Sequence, residues 1–207
     1  MGALKLHVEA VDPTMLNLLR RLMREDLLSS FFLVGGTALA LRLGHRMSMD
    51  IDFFSDKAFS VQPVAEFLRD CYSIRSLETA ENTVRGEVEG VKIDLMSHRY
   101  PMIEIPAALE GVRLAGLKDI AAMKLNAIAN RGSKKDFFDY AELLNYFSRE
   151  EMFSFFAEKY TDQNIWYVEK SLTYFEDAEQ DPSPHDLKGR TWETVKQRIL
   201  QSSRRGI

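Results

Sequence analysis

The apolar run Phe31-Phe32-Leu33-Val34 stops at Gly35-Gly36. After thirteen intervening residues the chain alternates carboxylate and apolar side chains in Asp50-Ile51-Asp52-Phe53-Phe54. The first stretch has the pattern of a buried strand. The second has the period of a half-buried strand, so Ile51 and Phe53 face a core while Asp50 and Asp52 share the other side. Two carboxylates on one face at the end of an apolar strand repel each other. A hard divalent cation, Mg²⁺ or Mn²⁺, removes that penalty through a few carboxylate oxygens together with substrate phosphates. Asp94, in the apolar stretch Val91-Lys92-Ile93-Asp94-Leu95-Met96, adds a third ligand if its strand neighbours the first.

The glycine pair supplies the complementary half. A strand that ends in Gly-Gly and turns into a helix, expected over 37–43 and stopped near Gly44, lets a ligand approach the backbone. It also aims N–H groups and the positive end of the helix dipole at an anion. Thr37 is expected to cap that helix and to add a hydroxyl donor. Taken singly, a Gly-Gly is a turn and an Asp-x-Asp a solvated loop. In this order, each flanked by apolar strand residues, they make a site for a nucleoside triphosphate.

The remainder divides into two halves. Residues 4–10 alternate, as in a short strand or extended arm. Asp12-Pro13 starts a helix to about residue 28, with Leu16, Leu19, Leu22 and Met23 inward. A helix is expected over 61–71, and strands over 72–77, 83–88 and 91–96, the last two joined by a Glu89-Gly90 hairpin turn. After Pro106 the pattern is helical almost to the end, strongest over 117–129 and 133–147. Ser148 and Glu151 form a capping box. Ile165, Val168, Leu172 and Phe175 mark an apolar stripe, and Thr191 caps a last helix. Trp166, Tyr167, Tyr174 and Phe175 fall at helical spacing, which assigns them to a core rather than to a base-stacking surface. The expected fold is α+β, a mixed β-sheet flanked by helices and followed by a C-terminal helical bundle. The boundary is drawn between residues 1–115 and 116–207, with the helical part sharing the active-site cleft.

Composition sets the outer limits. The 207 residues are 45% apolar and 11% aromatic, enough for a substantial core. Lys and Arg number 27 against 31 Asp and Glu, a formal charge of −4, which excludes a polybasic nucleic-acid binder but not a local basic face. One cysteine, Cys71, excludes an intrachain disulfide and a multi-cysteine zinc site. With no apolar run of membrane-spanning length and no signal-peptide pattern, the expectation is a soluble cytoplasmic protein without a membrane partner.

The Val34-Gly35-Gly36 and Asp50-Ile51-Asp52-Phe53 pair, with Ile93-Asp94-Leu95, resembles the signature of the polymerase-β-type nucleotidyltransferase superfamily. More narrowly, residues 32–41 with Gly44-His45-Arg46, Ser48 and Asp50-Ile51-Asp52-Phe53-Phe54 resemble the AbiEii/AbiGii abortive-infection toxins. So do Lys118-Asp119-Ile120-Ala121-Ala122-Met123-Lys124 and Arg131 with Asp136-Phe137-Phe138-Asp139. The resemblance spans about residues 4–147. It implies an enzyme that moves a nucleotide from an NTP to an acceptor hydroxyl, in related toxins the 3′ end of tRNA, and often a cognate antitoxin. It also implies functional roles for Lys124 and Asp139. The catalytic set is then Asp50, Asp52, Asp94, Lys124 and Asp139. Gly35, Gly36, Thr37, Arg46 and Lys124 bind nucleotide, and the three carboxylates bind metal.

Lys124 is notable without the resemblance. It sits at the edge of the stripe Leu117, Ile120, Ala121, Leu125 and Ile128, where an ammonium needs an anion such as Asp136, Asp139 or a substrate phosphate. A structural Lys124–Asp139 pair and a functional lysine both remain open and are compatible. Arg46, in the loop before the second strand, either reaches a phosphate, clamps the aspartates or lies exposed. Nothing near His45 suggests a ligand set. Arg131, Lys134 and Lys135 form a basic turn that is solvated, or suited to an RNA backbone if it faces the cleft. Two other functions stay in view: an inactive nucleotide-binding regulatory module on the same scaffold, and a phosphotransferase acting on a protein or metabolite.

Overall fold

The computed structural model describes residues 5–204. Among these residues the chain forms two compact units. The first takes 5–44, 48–101 and 105–115; the second takes 45–47, 102–104 and 116–204.

The first unit is built on a seven-stranded mixed sheet. Its strands are β1 (Phe31–Leu33), β2 (Asp50–Ser55), β3 (Arg75–Ala80), β4 (Thr83–Val88), β5 (Val91–Ser97), β6 (Ala107–Leu109) and β7 (Val112–Leu114), in the order β3-β4-β5-β2-β1-β7-β6. β2 is antiparallel to β1 and parallel to β5. Ile51, Phe53, Val84, Val88, Ile93 and Leu95 are all buried, so one face of the central strands is core and the alternating residues make the other. Helix α1 (Pro13–Leu22) starts on Asp12, whose carboxylate accepts from the Thr14 N–H at 2.7 Å. α2 (Gly35–Leu43) runs from the end of β1 and packs on β2, and α3 (Val61–Tyr72) packs on β3 and β4.

Several expectations are corrected here. Leu4 lies outside the described residues, and Val8–Ala10 is a 3-10 turn rather than a strand. α1 ends at Leu22, not near 28. The carbonyls of Met23 and Leu28 instead accept from the Arg113 guanidinium at 2.7 and 2.9 Å, as Phe31 O does at 2.7 Å. The stretch after Pro106 is not helical at first. β6 and β7 form a hairpin closed by Glu110-Gly111, both at positive φ as at Glu89-Gly90, and β7 pairs in parallel with β1.

The second unit is helical: α4 (Leu117–Asn130), α5 (Lys134–Leu143), α6 (Arg149–Lys159), α7 (Ile165–Ser171), α8 (Glu176–Glu179) and α9 (Trp192–Arg204). α4 packs against α5, α6 and α7, and α5 against α9. Ile120, Leu125, Phe137, Phe156, Leu172 and Ile199 are fully enclosed. The capping box on α6 is present, Ser148 Oγ accepting from Glu151 N–H and Glu151 from Ser148 N–H. Thr191 Oγ1 accepts from Thr194 N–H at the start of α9.

The aromatic stripe is only partly core. Phe175 packs edge-on against Phe137 and Trp192, but Trp166, Tyr167 and Tyr174 are each more than half exposed, as is a large part of Ile165. α7 is two turns long, so only Val168 and then Leu172 reach inward. The basic turn is not wholly solvated either. Lys134 is buried, its ammonium donating to the carbonyls of Asp181 (2.6 Å) and Glu179 (3.2 Å).

Candidate functional site

The carboxylates of the first unit are gathered by strand register. Asp52 and Asp94 are direct partners across the parallel β2–β5 pair, and Asp50 is opposite Lys92. Because side chains alternate along each strand, Asp50, Asp52 and Asp94 stand on one face. Across the antiparallel β4–β5 pair, Arg85 is opposite Asp94 and Glu87 opposite Lys92. β3 continues both rows, Glu78 opposite Arg85 and Arg75 opposite Glu87. Read laterally, one row is Arg75, Glu87, Lys92, Asp50, alternating in sign throughout. The other is Glu78, Arg85, Asp94, Asp52, alternating until its last step. Asp94 and Asp52 are two like charges side by side, an arrangement that destabilises a sheet unless a cation intervenes.

The Gly35 turn closes against the same pair. Val34 N–H donates to Asp52 O at 2.9 Å, and Gly35 has φ +68°. A Cβ at Gly35 would lie 2.8 Å from Asp52 Oδ2, so the backbone passes closer to this carboxylate than any other residue permits. The first intrahelical bond of α2 is Ala38 N–H to Val34 O. The N–H groups of Gly35, Gly36 and Thr37 therefore precede the helical ladder, at the end that favours anions. The capping role expected of Thr37 is not found. Val34 is the cap residue, and the buried Thr37 hydroxyl donates to the Asp50 carbonyl, with Ser48 Oγ 2.9 Å from Thr37 Oγ1. Thr37 thus ties the start of β2 to α2 and meets a ligand only through its backbone.

Among the described residues no three His, Cys, Asp or Glu side chains are grouped so as to hold a metal ion. The donor set nevertheless fits one. Asp94 Oδ1 is buried without a hydrogen-bond partner, and the Gly35 cradle leaves room beside Asp52 that a Cβ would fill. An oxygen-only set of carboxylates suits Mg²⁺ or Mn²⁺.

The second unit holds a buried ion network. Lys124 Nζ donates to Asp139 Oδ2 at 2.6 Å and Asp136 Oδ1 at 2.9 Å. Arg46 grips Asp139 with two bonds of 2.6 and 2.9 Å, and His45 Nε2 donates to Asp139 Oδ1 at 2.7 Å. Arg131 and Ser133 complete Asp136. Burial works against charge on all of these. Arg46 and Lys124 outweigh it at Asp139, whose pKa is held well below the carboxylate range, and Asp136 is lowered mainly by Lys124. Burial likewise opposes the Lys124 charge, but Asp136 and Asp139 raise its pKa. For His45 burial prevails and the pKa falls, leaving a neutral ring with Nδ1 unpartnered. The structural Lys124–Asp139 pair is therefore real, and Arg46 is not exposed but buried on Asp139. Sequence reading missed the part of His45, because its partner is 94 positions away.

Among the described residues no helix is long and apolar enough to cross a membrane. The family model "Nucleotidyl transferase AbiEii toxin, Type IV TA system" matches residues 17–205. An uncharacterized protein of Aquifex aeolicus (strain VF5) is 38% identical over 159 residues, covering 74% of this chain and 77% of its own length. Among solved structures, JHP933 from Helicobacter pylori superposes with a TM-score of 0.56 at 19% identity, covering 94% of this chain and 92% of that one. The nucleotidyltransferase toxin MenT4 from Mycobacterium tuberculosis H37Rv gives 0.55 at 16%, covering 90% and 82%. At these identities the structural likeness is one of fold.

Proposed function

The chain belongs to the AbiEii family of nucleotidyl transferase toxins and is a nucleotidyltransferase, and from that premise we propose that it transfers a nucleoside monophosphate from an NTP to the 3′ hydroxyl of an RNA, tRNA included. The observation that carries this reading is the pairing of Asp52 with Asp94 beside the Gly35 turn.

Asp50, Asp52 and Asp94 would hold a divalent cation, which when bound neutralises charge on the triphosphate. The N–H groups of Gly35, Gly36 and Thr37 receive the leaving phosphates. Asp94 accepts the proton of the attacking hydroxyl. The hydroxyl oxygen bonds to the α-phosphorus as the bond to the bridging oxygen breaks, and pyrophosphate departs with that oxygen. Lys124, Arg46 and Asp139 act by positioning. They fix His45–Met47, the segment that leads along the chain into Asp50, and their charged groups are already engaged with one another. A cognate antitoxin and a cytoplasmic setting, both in keeping with the family, complete the proposal.

The test is incubation with each α-labelled NTP and total RNA. Label is expected on RNA with wild type and absent with Asp50→Ala and Asp52→Ala, both folded by circular dichroism. Wild-type transfer by either variant would overturn the reading. Movement of γ-label alone would favour phosphotransfer, and NTP binding without pyrophosphate release a regulatory module.

A further inference from the structure

The sheet face that carries Asp94 presents two cations beside it, one on β4 away from Asp52 and one on β5 itself, opposite Asp50. Arg85 is the direct partner of Asp94 across β4–β5, and Lys92 stands two residues before Asp94 on its own strand. Arg85 Nε and Lys92 Nζ lie 3.8 and 3.6 Å from Asp94 Oδ2, beyond hydrogen-bond length. Asp94 is nearly buried, at 13% side-chain exposure, while Arg85 and Lys92 are exposed at 47% and 64%. Glu78 and Glu87 flank these cations in register, yet the ion pairs that Arg85 and Lys92 form among the described residues are both with Asp94. Two exposed cations thus share one carboxylate loosely, Arg85 also donating to Met96 Sδ at 3.4 Å, and the other oxygen of Asp94 is unpartnered. Once the charge of Asp94 is met from the Asp52 side, both cations are available to an anion at the same place.

The chemistry of the reaction says which anion. The nucleotide whose 3′ hydroxyl is deprotonated by Asp94 carries its own 5′ phosphate, within a side chain's reach of that hydroxyl. We propose that Arg85 and Lys92 bind the last phosphodiester of the RNA acceptor and so hold its 3′ hydroxyl at Asp94. This rests on the nucleotidyl-transfer reading above. It assigns the sheet face of β4 and β5 as the acceptor side and leaves the Gly35 turn to the NTP.

The test is direct binding of a fluorescent single-stranded oligoribonucleotide by anisotropy, with Mg²⁺ present and NTP absent, over about 50–200 mM salt. Arg85→Gln with Lys92→Gln is expected to weaken binding about tenfold and to lower the slope of log K against log salt by about 0.7 per cation removed. Arg85→Lys should retain most of the affinity, and NTP binding by calorimetry should stay within about twofold. Both positions are exposed, and a matching thermal melt checks the fold. Unchanged RNA affinity and slope in the double variant would overturn the proposal. Equal loss of NTP binding would also overturn it, placing the cations on the triphosphate. Failure of the broader reading is separately visible, since transfer by Asp50→Ala does not enter the anisotropy measurement.

Discussion

Gly35 stands so close to Asp52 that a Cβ on the glycine would lie 2.8 Å from the carboxylate Oδ2. With φ at +68°, an alanine would be strained in its own backbone as well as crowded. Gly35→Ala is expected to lower stability by roughly 1–3 kcal/mol. It should lower transfer by about a hundredfold or more, because Asp52 must shift. Urea unfolding and α-label transfer on the same preparation measure the two effects. A variant with wild-type transfer would show that Asp52 needs no fixed place.

Thr37 gives a smaller and different effect. Its hydroxyl donates to the Asp50 carbonyl inside the fold, so Thr37→Val leaves that carbonyl short of a donor, at about 1–3 kcal/mol. Thr37→Ser keeps the donor and should behave nearly as wild type in a thermal melt. If serine were as damaging as valine, the packing of the methyl group and not the hydrogen bond would be the cause.

The ion network in the helical unit should be sensitive to the loss of one partner. Arg46→Met leaves the fully buried Asp139 with Lys124 and His45 alone, and a cost of about 3–5 kcal/mol is expected. Asp139→Asn removes the charge that Lys124 and Arg46 both face. Combined with Arg46→Met it should be far less than additive, which a double-mutant cycle in urea would measure.

Stability should fall at both ends of the pH scale. His45 is held neutral by burial below its ordinary 6.5, so the unfolded chain binds the extra proton first. Its contribution is complete above pH 6.5 and declines as pH falls toward the lowered value. Asp136 and Asp139, both depressed, add a further loss below their ordinary 3.8. Lys124 is raised, so its contribution is complete below 10.5 and disappears as pH rises through the higher value. His45→Gln should flatten the limb just below pH 6.5 in a series of thermal melts and leave the steeper acid limb in place.

The carboxylate face was legible because strand period alone puts Asp50 and Asp52 on one side. That Asp94 joins Asp52 depends on β5 lying beside β2, a parallel pairing no local pattern encodes. The hairpin arithmetic did contain more. A two-residue turn at Glu89-Gly90 pairs Val88 with Val91, and counting back sets Arg85 opposite Asp94. The second Glu-Gly turn, at 110–111, carried the same signal for β6 and β7, but β6 is only three residues and begins Ala-Ala, with no strand preference to show. Lys124 announced itself as a lysine on a buried stripe. Its companions Arg46 and His45 were hidden by distance along the chain. Trp166 and Tyr167 misled because helical spacing does not tell which side of a two-turn helix meets solvent.

The chain lends His45–Met47 to the helical unit before it has begun the strand of Asp50, and takes it up again at Ser48. The two halves are therefore threaded, not merely joined end to end. A polypeptide severed between Ala115 and Gly116 would carry His45 and Arg46 on one fragment and Asp139 on the other, leaving the buried Arg46 without its counterion and the buried Asp139 with Lys124 alone. Neither fragment should hold its native fold alone, and co-expression of the two should restore what separate expression loses.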